Sequence, residues 1–277
     1  MKLELMSVEN FPFIQKGDDI AEIICSLTDD IRDNDILVIA STIVSKAQGR
    51  HFLLTDITPG KEALRISAMN GKDPRFTEAV LQDSEEVFVE SPFMLVRTKN
   101  GNICINAGID GSNVEGDFMI RLPVQPDSAA ETIGKAVEEK TGRKISVVIT
   151  DTNGRAFKIG QTNVAVGLYG IHAIRSWIGR EDLFGHTLEI SEEAVVDEIA
   201  GAANLIMGEG NGGCPVVIVR GLSLRTDEKT KAAEFFRKDA EDAVVMGLRL
   251  LKENDIHSVP NEKSPVYAPE TKNVSGT

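Results

Sequence analysis

The chain has 277 residues and a formal net charge of −13, from 43 acidic and 30 basic side chains. This length suits one large domain or two intertwined smaller ones, and the hydrophobic content of 42% is that of a globular protein. An acidic surface repels phosphates and anionic lipids, which argues against nucleic acid and membrane as partners. Three scattered cysteines and the absence of a long apolar run predict a soluble cytoplasmic protein.

The sequence predicts helices and strands in an irregular order along the chain. In order, we predict helix 18–27, strand 36–40, helix 74–87, strands 87–89 and 94–96, strand 103–106, helix 129–140, strand 145–150, helix 191–207, strand 216–220 and helix 227–252. This order lacks the regular strand–helix–strand rhythm of a doubly wound sheet. We therefore predict an α+β fold with mixed sheets and without a Rossmann or P-loop core.

Two predicted helices carry core candidates, and the chain then ends in a polar segment. Helix 191–207 is expected to bury Val195, Ile199, Ala202 and Ile206. Helix 227–252 is expected to bury Phe235, Phe236, Val244, Leu248 and Leu251. Residues 261–277 have little apolar content, so we predict one domain over residues 1–253 and a loosely ordered tail over 254–277.

Acidic residues follow two of the predicted strands. Asp110 comes shortly after strand 103–106, and Asp151 and Thr152 follow strand 145–150 directly. Carboxylate and hydroxyl oxygens held at strand ends are suitable ligands for Mg²⁺ or Mn²⁺. The same segments also contain Asp-Gly, Ser-Asn and Asn-Gly pairs, which are typical of simple turns. Arg155, three residues beyond Thr152, could contact a phosphate or carboxylate group.

Two further segments have the composition of phosphate contacts. The segment from Met207 to Pro215 has four glycines between a predicted helix and a predicted strand, and it includes the carboxylate of Glu209. Glycine lets backbone N–H groups approach phosphate oxygens, although a flexible connector has a similar composition. Ser41 and Thr42 follow strand 36–40 and could cap a helix or contact a phosphate, with Lys46 one helical turn further on.

These segments together resemble one known family. The stretches ASTIVSKAQGR, NICINAGIDGSNV, ITDTNGRAFKIG, SWIGREDLFG and DEIAGAANLIMGEGNGGCPVVIVRGL occur in this order and span most of residues 9–222. They resemble the coenzyme F420-0:gamma-glutamyl ligases. The resemblance implies an α+β fold with two intertwined subdomains, a homodimer, two divalent cations (Mg²⁺ or Mn²⁺) and a monovalent cation, K⁺.

The resemblance also implies roles for particular residues. Asp110 and Asp151 would hold one divalent cation, and Thr152 and Glu209 the other. The GTP contacts would be Phe11, Pro12, Phe13, Ile14, Ser41, Thr42, Lys46, Asn113, Met207, Gly208, Glu209, Gly210, Asn211, Gly212, Gly213 and Cys214. Separately from the resemblance, we expect Lys46 and Arg155 to add positive charge at the phosphates or the acceptor.

The reaction implied is GTP-dependent addition of L-glutamate to coenzyme F420-0 through an acyl phosphate, with a further glutamate added by a gamma-linkage. One alternative is a metal-dependent nucleotide phosphohydrolase that directs the same carboxylates at water. Another is a nucleotide-binding module without chemistry. The alternatives differ in whether GTP turnover requires glutamate and the acceptor, or occurs at all.

Overall fold

A computed structural model describes residues 2–254 of the chain, and the tail predicted for 254–277 lies outside this range except for Asn254. The structure contains helices and mixed sheets, so the predicted α+β class is confirmed. The strands are β1 (Glu4–Ser7), β2 (Ile36–Ala40), β3 (His51–Leu53), β4 (Ser84–Val89), β5 (Leu95–Thr98), β6 (Ile103–Ile105), β7 (Phe118–Ile120), β8 (Ser146–Arg155), β9 (Lys158–Tyr169), β10 (Arg175–Ser176), β11 (Glu192–Glu193) and β12 (Val216–Arg220).

Seven α-helices are described in residues 2–254. They are α1 (Ile20–Leu27), α2 (Ser41–Ala47), α3 (Lys61–Asn70), α4 (Pro74–Asp83), α5 (Pro126–Thr141), α6 (Val195–Met207) and α7 (Ala243–Glu253). Within this range, none of them combines the length and the apolar character needed to cross a bilayer.

The central sheet has five strands in the order β1-β12-β2-β8-β9. Only β2 and β8 run parallel, and every other neighbouring pair is antiparallel. The chain between β2 and β8 is therefore a crossover, as parallel neighbours require. It contains α2 to α5 and the two smaller sheets β3-β7 and β4-β5-β6.

Apolar side chains cover both faces of the central sheet. On one face, Leu37, Val147 and Ile218 belong to a buried cluster with residues of α1, α2 and α5. On the other face, Val38 and Val148 belong to a cluster with residues of α6. Because successive strand residues point to opposite faces, strands covered on both sides read as continuous apolar runs. This explains why the predicted strands 36–40 and 216–220 match the structure.

A third buried cluster supports the crossover region. It joins Ile66 of α3 and Val80 of α4 to Met94, Val96 and the turn after β6. The predicted pair of strands at 87–89 and 94–96 is confirmed as β4 and β5, which pair antiparallel. This third core therefore fixes the segment that carries Asp110 independently of the central sheet.

The predicted helix 74–87 is wrong over its last four residues. The helix begins at Pro74 as expected, and the Asp73 side chain accepts a hydrogen bond from the Arg75 N–H at its first turn. It ends at Asp83, and Ser84 starts β4 instead. Pairing of β4 with β5 there replaces helical hydrogen bonds with sheet hydrogen bonds.

The helix predicted over 191–207 begins at Val195, four residues later than predicted. Residues 192–193 instead form strand β11, which pairs with β10. The predicted inward residues Val195 and Ile199 are buried, but Ile206 is 39% exposed. The buried stripe also includes Ala200, Ala203 and Met207, so it is rotated relative to the predicted one.

The predicted helix 227–252 is wrong over its first sixteen residues. This stretch has two short 3-10 turns at 232–235 and 239–241, and α7 begins only at Ala243, where the Asp242 side chain caps it. Val244 and Leu251 were predicted to be buried but are 51% and 46% exposed, whereas Val245 is buried. Tertiary contacts, among them the Ala232 N–H to Asp127 Oδ1 hydrogen bond of 3.0 Å, override the helical pattern.

The predicted strand 145–150 continues five residues beyond its predicted end. β8 runs to Arg155 and pairs along its whole length with β9, a strand that the sequence pattern did not predict. The Asn153-Gly154 pair lies inside β8, opposite Thr162 and Gln161, and does not form the turn that its composition favours. The chain reverses at Phe157, which has a left-handed backbone (φ 63°).

Candidate active site

The end of β2, the start of β12 and the point in β8 where Asp151 follows Thr150 meet at one edge of the central sheet. β2 and β8 run parallel, with Ala40 opposite Thr150, and antiparallel β12 starts beside them, with Val216 opposite Ile39. The Ala40 N–H donates to the Pro215 carbonyl at 2.9 Å. The start of α2, the end of the glycine-rich loop and the pair Asp151-Thr152 therefore meet at this edge, as expected for strand ends in an open sheet.

Asp151 lies at the centre of this edge. Its Oδ1 accepts a hydrogen bond from the Ser41 hydroxyl at 2.6 Å. Loss of contact with water raises the pKa of Asp151 to about 6, and the negative charges of Asp110 and Glu209 act in the same direction. The three carboxylates that the sequence placed far apart thus interact electrostatically in the fold.

Thr152 points to the opposite face of the sheet and meets Glu209, which follows α6. The Thr152 hydroxyl oxygen lies 3.0 Å from both carboxylate oxygens of Glu209 and 2.9 Å from Oδ1 of Asn163. A threonine hydroxyl has one hydrogen to donate, so three acceptor oxygens surround a single proton. Such an excess of oxygen acceptors fits a hard cation.

Asp110 reaches the site from the crossover region. Asn106, Ala107 and Gly108 all have left-handed backbones (φ 53°, 55° and 68°), which turn the chain sharply after β6. The backbone of Asp110 then pairs with Ile120, and its Oδ1 accepts a hydrogen bond from the Ser112 N–H at 2.9 Å. The strained turn and the bridge to β7 fix the backbone of Asp110, whose negative charge contributes to the raised pKa of Asp151.

Lys46 and Asn113 are also brought together, across the gap between α2 and the turn that follows Asp110. The Lys46 ammonium donates to the Asn113 backbone carbonyl at 2.5 Å. Desolvation lowers the pKa of Lys46, and the nearby Glu115 opposes that shift. Asn113 has a left-handed backbone (φ 55°), which exposes its carbonyl in this turn.

The glycine-rich loop and the N-terminal segment complete the edge. Gly208 and Gly213 have positive φ angles of 64° and 66°, conformations that glycine adopts without strain. The loop runs from helix to strand, as predicted. In segment 11–14, Ile14 is buried in the cluster under α2, whereas Phe13 is 87% exposed. Phe13 is therefore free to cover a ligand.

Arg155 lies apart from the other predicted site residues. It is at the exposed end of the β8–β9 hairpin, and its guanidinium donates to the Ile159 carbonyl at 2.9 Å. The described contacts do not join it to Asp110, Asp151 or Glu209. Its predicted role thus requires a movement of the hairpin end or a ligand that extends to it.

Two residues with polar contacts in the site were missed by the sequence reasoning. Asn163 on β9 lies opposite Thr152 and contacts its hydroxyl. Asn204 on α6 donates to Glu209 Oε1 at 2.9 Å. Asn204 is a polar residue in an apolar helix segment, and this contrast could have marked it as a candidate site residue. Asn163 could not be placed because β9 itself was not predicted.

Within residues 2–254, no three His, Cys, Asp or Glu side chains converge as a ready-made metal cage. The oxygen donors occur instead as pairs, Asp110 with Asp151 and Thr152 with Glu209. Mg²⁺ in phosphate-binding enzymes is commonly held by one or two carboxylates, with substrate phosphates and water as the remaining ligands. Two pairs of oxygen donors, one on each side of β8, fit that pattern.

Comparison with known proteins shows the family of the chain. A family model described as F420-0:Gamma-glutamyl ligase matches residues 9–221. This range contains all the predicted site residues. The chain belongs to this family.

Particular relatives are similar over nearly the whole chain. The coenzyme F420:L-glutamate ligase of Methanosarcina mazei is 55% identical over 252 residues, covering 91% of this chain and 99% of the relative. The protein of the same name from Methanosarcina acetivorans is 54% identical over 92% of this chain and 100% of its own length. The Archaeoglobus fulgidus protein of that name is 46% identical over 88% and 97%.

Proposed function

We propose that the chain is a ligase that uses GTP to join L-glutamate to coenzyme F420-0, and that it adds a further glutamate through a gamma-linkage. The names of its relatives support the ligase class and the two substrates. The observation that carries the proposal is the arrangement at the strand ends. Asp151 and Thr152 lie between Ser41 at the start of α2 and Glu209 at the start of the glycine-rich loop.

In this proposal, Asp110 and Asp151 would hold one divalent cation, and Thr152 and Glu209 would hold the other. Three interacting carboxylates in a chain of net charge −13 repel a nucleotide triphosphate, so the site needs positive charge to bind one. Bound Mg²⁺ or Mn²⁺ would neutralise phosphate charge and orient the terminal phosphate. We propose K⁺ as a further, monovalent cation.

The nucleotide would lie along the same edge of the sheet. Backbone N–H groups of the loop 208–214 can converge on phosphate oxygens because several of its residues are glycine. Ser41 and Thr42 are at the first turn of α2, and the Lys46 amine lies one turn further on, facing Asn113. Phe11 to Ile14 would provide backbone and apolar contacts beside this helix.

The proposed chemistry has two steps. A carboxylate oxygen of the acceptor attacks the γ-phosphorus of GTP, the bond to the β-phosphate oxygen breaks, and GDP leaves. The α-amine of glutamate then attacks the resulting acyl phosphate, phosphate leaves with the bonding electrons, and the amine loses a proton to give the amide. Phosphoryl transfer depends mainly on positioning and charge neutralisation, which this edge can supply.

The direct test is incubation of the full chain with GTP, Mn²⁺, L-glutamate and coenzyme F420-0, followed by mass spectrometry. We expect product masses that increase by whole glutamate residues, together with GDP. Asp151→Ala should lose this activity while its circular dichroism and unfolding temperature remain near those of the parent protein.

Asp117→Ala is a matched control, because Asp117 is an exposed carboxylate in the same crossover region. It should retain activity. Release of phosphate from GTP at the same rate without glutamate and acceptor would favour the phosphohydrolase instead. Unchanged glutamylation in Asp151→Ala would reject the assignment of the site.

A further inference from the structure

A cavity separate from the candidate active site lies near the start of β8 and the end of β9, at the opposite end of this strand pair from the hairpin. It has a volume of about 550 Å³ and is bounded by the end of β9, the first turn of α5 and the segment 225–232. This volume is within the range of sites for small organic molecules. Ser146, the first residue of β8, donates to the Gly170 carbonyl at this end. At roughly 3.3 Å per strand residue, Asp151 is about 16 Å away along β8.

Arg225 in the wall of this cavity is a buried cation with few acceptors. Its side chain is only 9% exposed. Nη2 lies 3.1 Å from Glu138 Oε1 and 3.1 Å from Asp227 Oδ1, but the Asp227 side chain is 91% exposed, so that contact is weak. Within the described chain, the buried Nε and Nη1 atoms have no hydrogen-bond partner.

The backbone around Arg225 is shaped to hold the guanidinium in this place. Gly170 has a left-handed backbone (φ 66°), and a Cβ atom there would lie 3.0 Å from Arg225 Cζ. The guanidinium also lies 5.4 Å from the centre of the Tyr169 ring. Buried, unsatisfied donors on a charged group are unfavourable, so a fixed arginine of this kind suggests a missing acceptor.

Thr230 is a second, independent sign of a missing polar partner. It is 7% exposed, and its hydroxyl oxygen is buried without a hydrogen-bond partner among residues 2–254. It lines the same cavity as Arg225. A threonine hydroxyl can donate to an oxyanion that also contacts a guanidinium.

The cavity is lined by five basic side chains and four acidic ones, so an anion is favoured only where the basic groups are not already paired. Lys135 and Lys144 are paired with Glu131 and Glu138, at 2.6 and 3.0 Å. Lys229 and Lys231 also line the cavity and are exposed, and no ion pair joins either of them to a carboxylate within the described range. The acidic Asp127 is already occupied, because its Oδ1 accepts hydrogen bonds from the Leu168 and Ala232 N–H groups.

We propose that this cavity is a second binding site, which takes the phosphate or carboxylate group of a small metabolite. Lys229 and Lys231 attract the oxyanion, and Arg225 and Thr230 bind it after a local movement that uncovers their buried donor atoms. The rest of the metabolite fills the cavity beside Tyr169. The site is separate from the edge that carries Asp151 and does not depend on the ligase proposal.

Calorimetric titration of the full chain tests this site, with inorganic phosphate and acetate as the two probes and with EDTA present to remove divalent cations. We expect saturable binding of one anion per chain, and the two probes show which oxyanion is preferred. The double variant Lys229→Ala/Lys231→Ala should weaken binding about tenfold or more, since it removes two charges. Both lysines are exposed, so this variant should fold normally.

Two controls make the result specific. Lys61→Ala removes an exposed charge on α3, away from the cavity, and should leave binding unchanged. Thr230→Val keeps the shape of the side chain and removes its hydroxyl, and it should weaken binding. Absence of saturable binding by either probe would overturn the proposal. Binding that survives the lysine double variant but is lost in Lys46→Ala would assign the anion to the nucleotide edge and would also overturn it.

Discussion

The Thr152 hydroxyl has a single proton, yet three acceptor oxygens lie within 3.0 Å of it. If a cation satisfies these oxygens, the hydroxyl is needed as a ligand and the methyl group is not. Thr152→Val should therefore weaken Mn²⁺-dependent GTP binding on the order of ten- to a hundredfold, and Thr152→Ser should retain most of it. Fluorescence titration with a labelled GTP analogue measures both. Equal affinities for the two variants would exclude Thr152 as a ligand.

A buried ion pair elsewhere shows how strongly a single residue can affect stability. Asp35 is fully buried and accepts two hydrogen bonds from Arg220, at 2.8 and 2.7 Å. Asp35→Ala should lower the free energy of unfolding by about 3–5 kcal/mol, because it removes a buried carboxylate and leaves the Arg220 guanidinium with only the side chain and carbonyl of Asp30 as partners. Glu131→Ala breaks an exposed pair with Lys135 and should change it by less than about 1 kcal/mol.

Urea unfolding of both variants, followed by circular dichroism, gives the two free energies. Similar losses of unfolding free energy in the two variants would mean that burial does not make the Asp35–Arg220 pair more stabilising than the Glu131–Lys135 pair.

Individual site residues were predictable only where a local pattern marked them. Asp110 and Asp151 follow apolar strands, and Glu209 lies among glycines, so each stands out within a few residues of sequence. Their mutual approach could not be derived from those patterns. It depends on the parallel pairing of β2 with β8 and on the left-handed turn at Asn106, which are properties of the whole fold.

At the scale of an element, alanine substitutions at two helical glycines should change the stability of the protein in opposite directions. A Cβ atom at Gly134 of α5 would lie 2.2 Å from Tyr169 Cδ1, whereas one at Gly247 of α7 would meet nothing within 4 Å. Gly134→Ala should destabilise the protein by about 1–3 kcal/mol through overpacking, which exceeds the gain in helix propensity. Gly247→Ala should stabilise it by about 0.5–1 kcal/mol.

Thermal unfolding of the two alanine variants and the parent protein checks both signs. A stabilised Gly134→Ala would show that the Tyr169 ring moves aside freely. A destabilised Gly247→Ala would show that α7 packs against something that residues 2–254 do not reveal.

Elements were predicted well where local pattern and tertiary contacts agree. Strands 36–40 and 216–220 are apolar on both faces because helices cover both sides of the sheet. The region 227–242 has helix-forming residues, but Asp239 pairs with Arg97 at 2.6 Å and the Ala232 N–H is bound to Asp127. Those long-range contacts fix short turns, and no helical periodicity can indicate them.

At the scale of the whole molecule, the exposed apolar side chains support the predicted homodimer. At the end of the β8–β9 hairpin, Phe157 is 97% exposed, and in the loop before β11, Leu183 and Phe184 are 99% and 85% exposed. Large apolar side chains in such positions often mark surfaces that another protein covers. We predict that a second copy of the chain covers these segments.

Phe157→Asp/Leu183→Asp should therefore shift the protein from dimer to monomer in sedimentation equilibrium. Val244→Asp, at an exposed apolar position on α7, is the matched control and should leave the dimer intact. A parent protein that is monomeric at micromolar concentration would contradict the prediction.

We infer that Asp110, Asp151, Thr152 and Glu209 bind divalent cations, which in turn bind the nucleotide. The most direct measurement is the GTP affinity of the full chain by calorimetry, with Mn²⁺ or with EDTA. It is made for the parent protein, Asp151→Asn and Asp117→Asn. We predict Mn²⁺-dependent binding in the parent and in Asp117→Asn, and loss of that binding in Asp151→Asn. GTP binding by Asp151→Asn with the parent's affinity and Mn²⁺ dependence would contradict it.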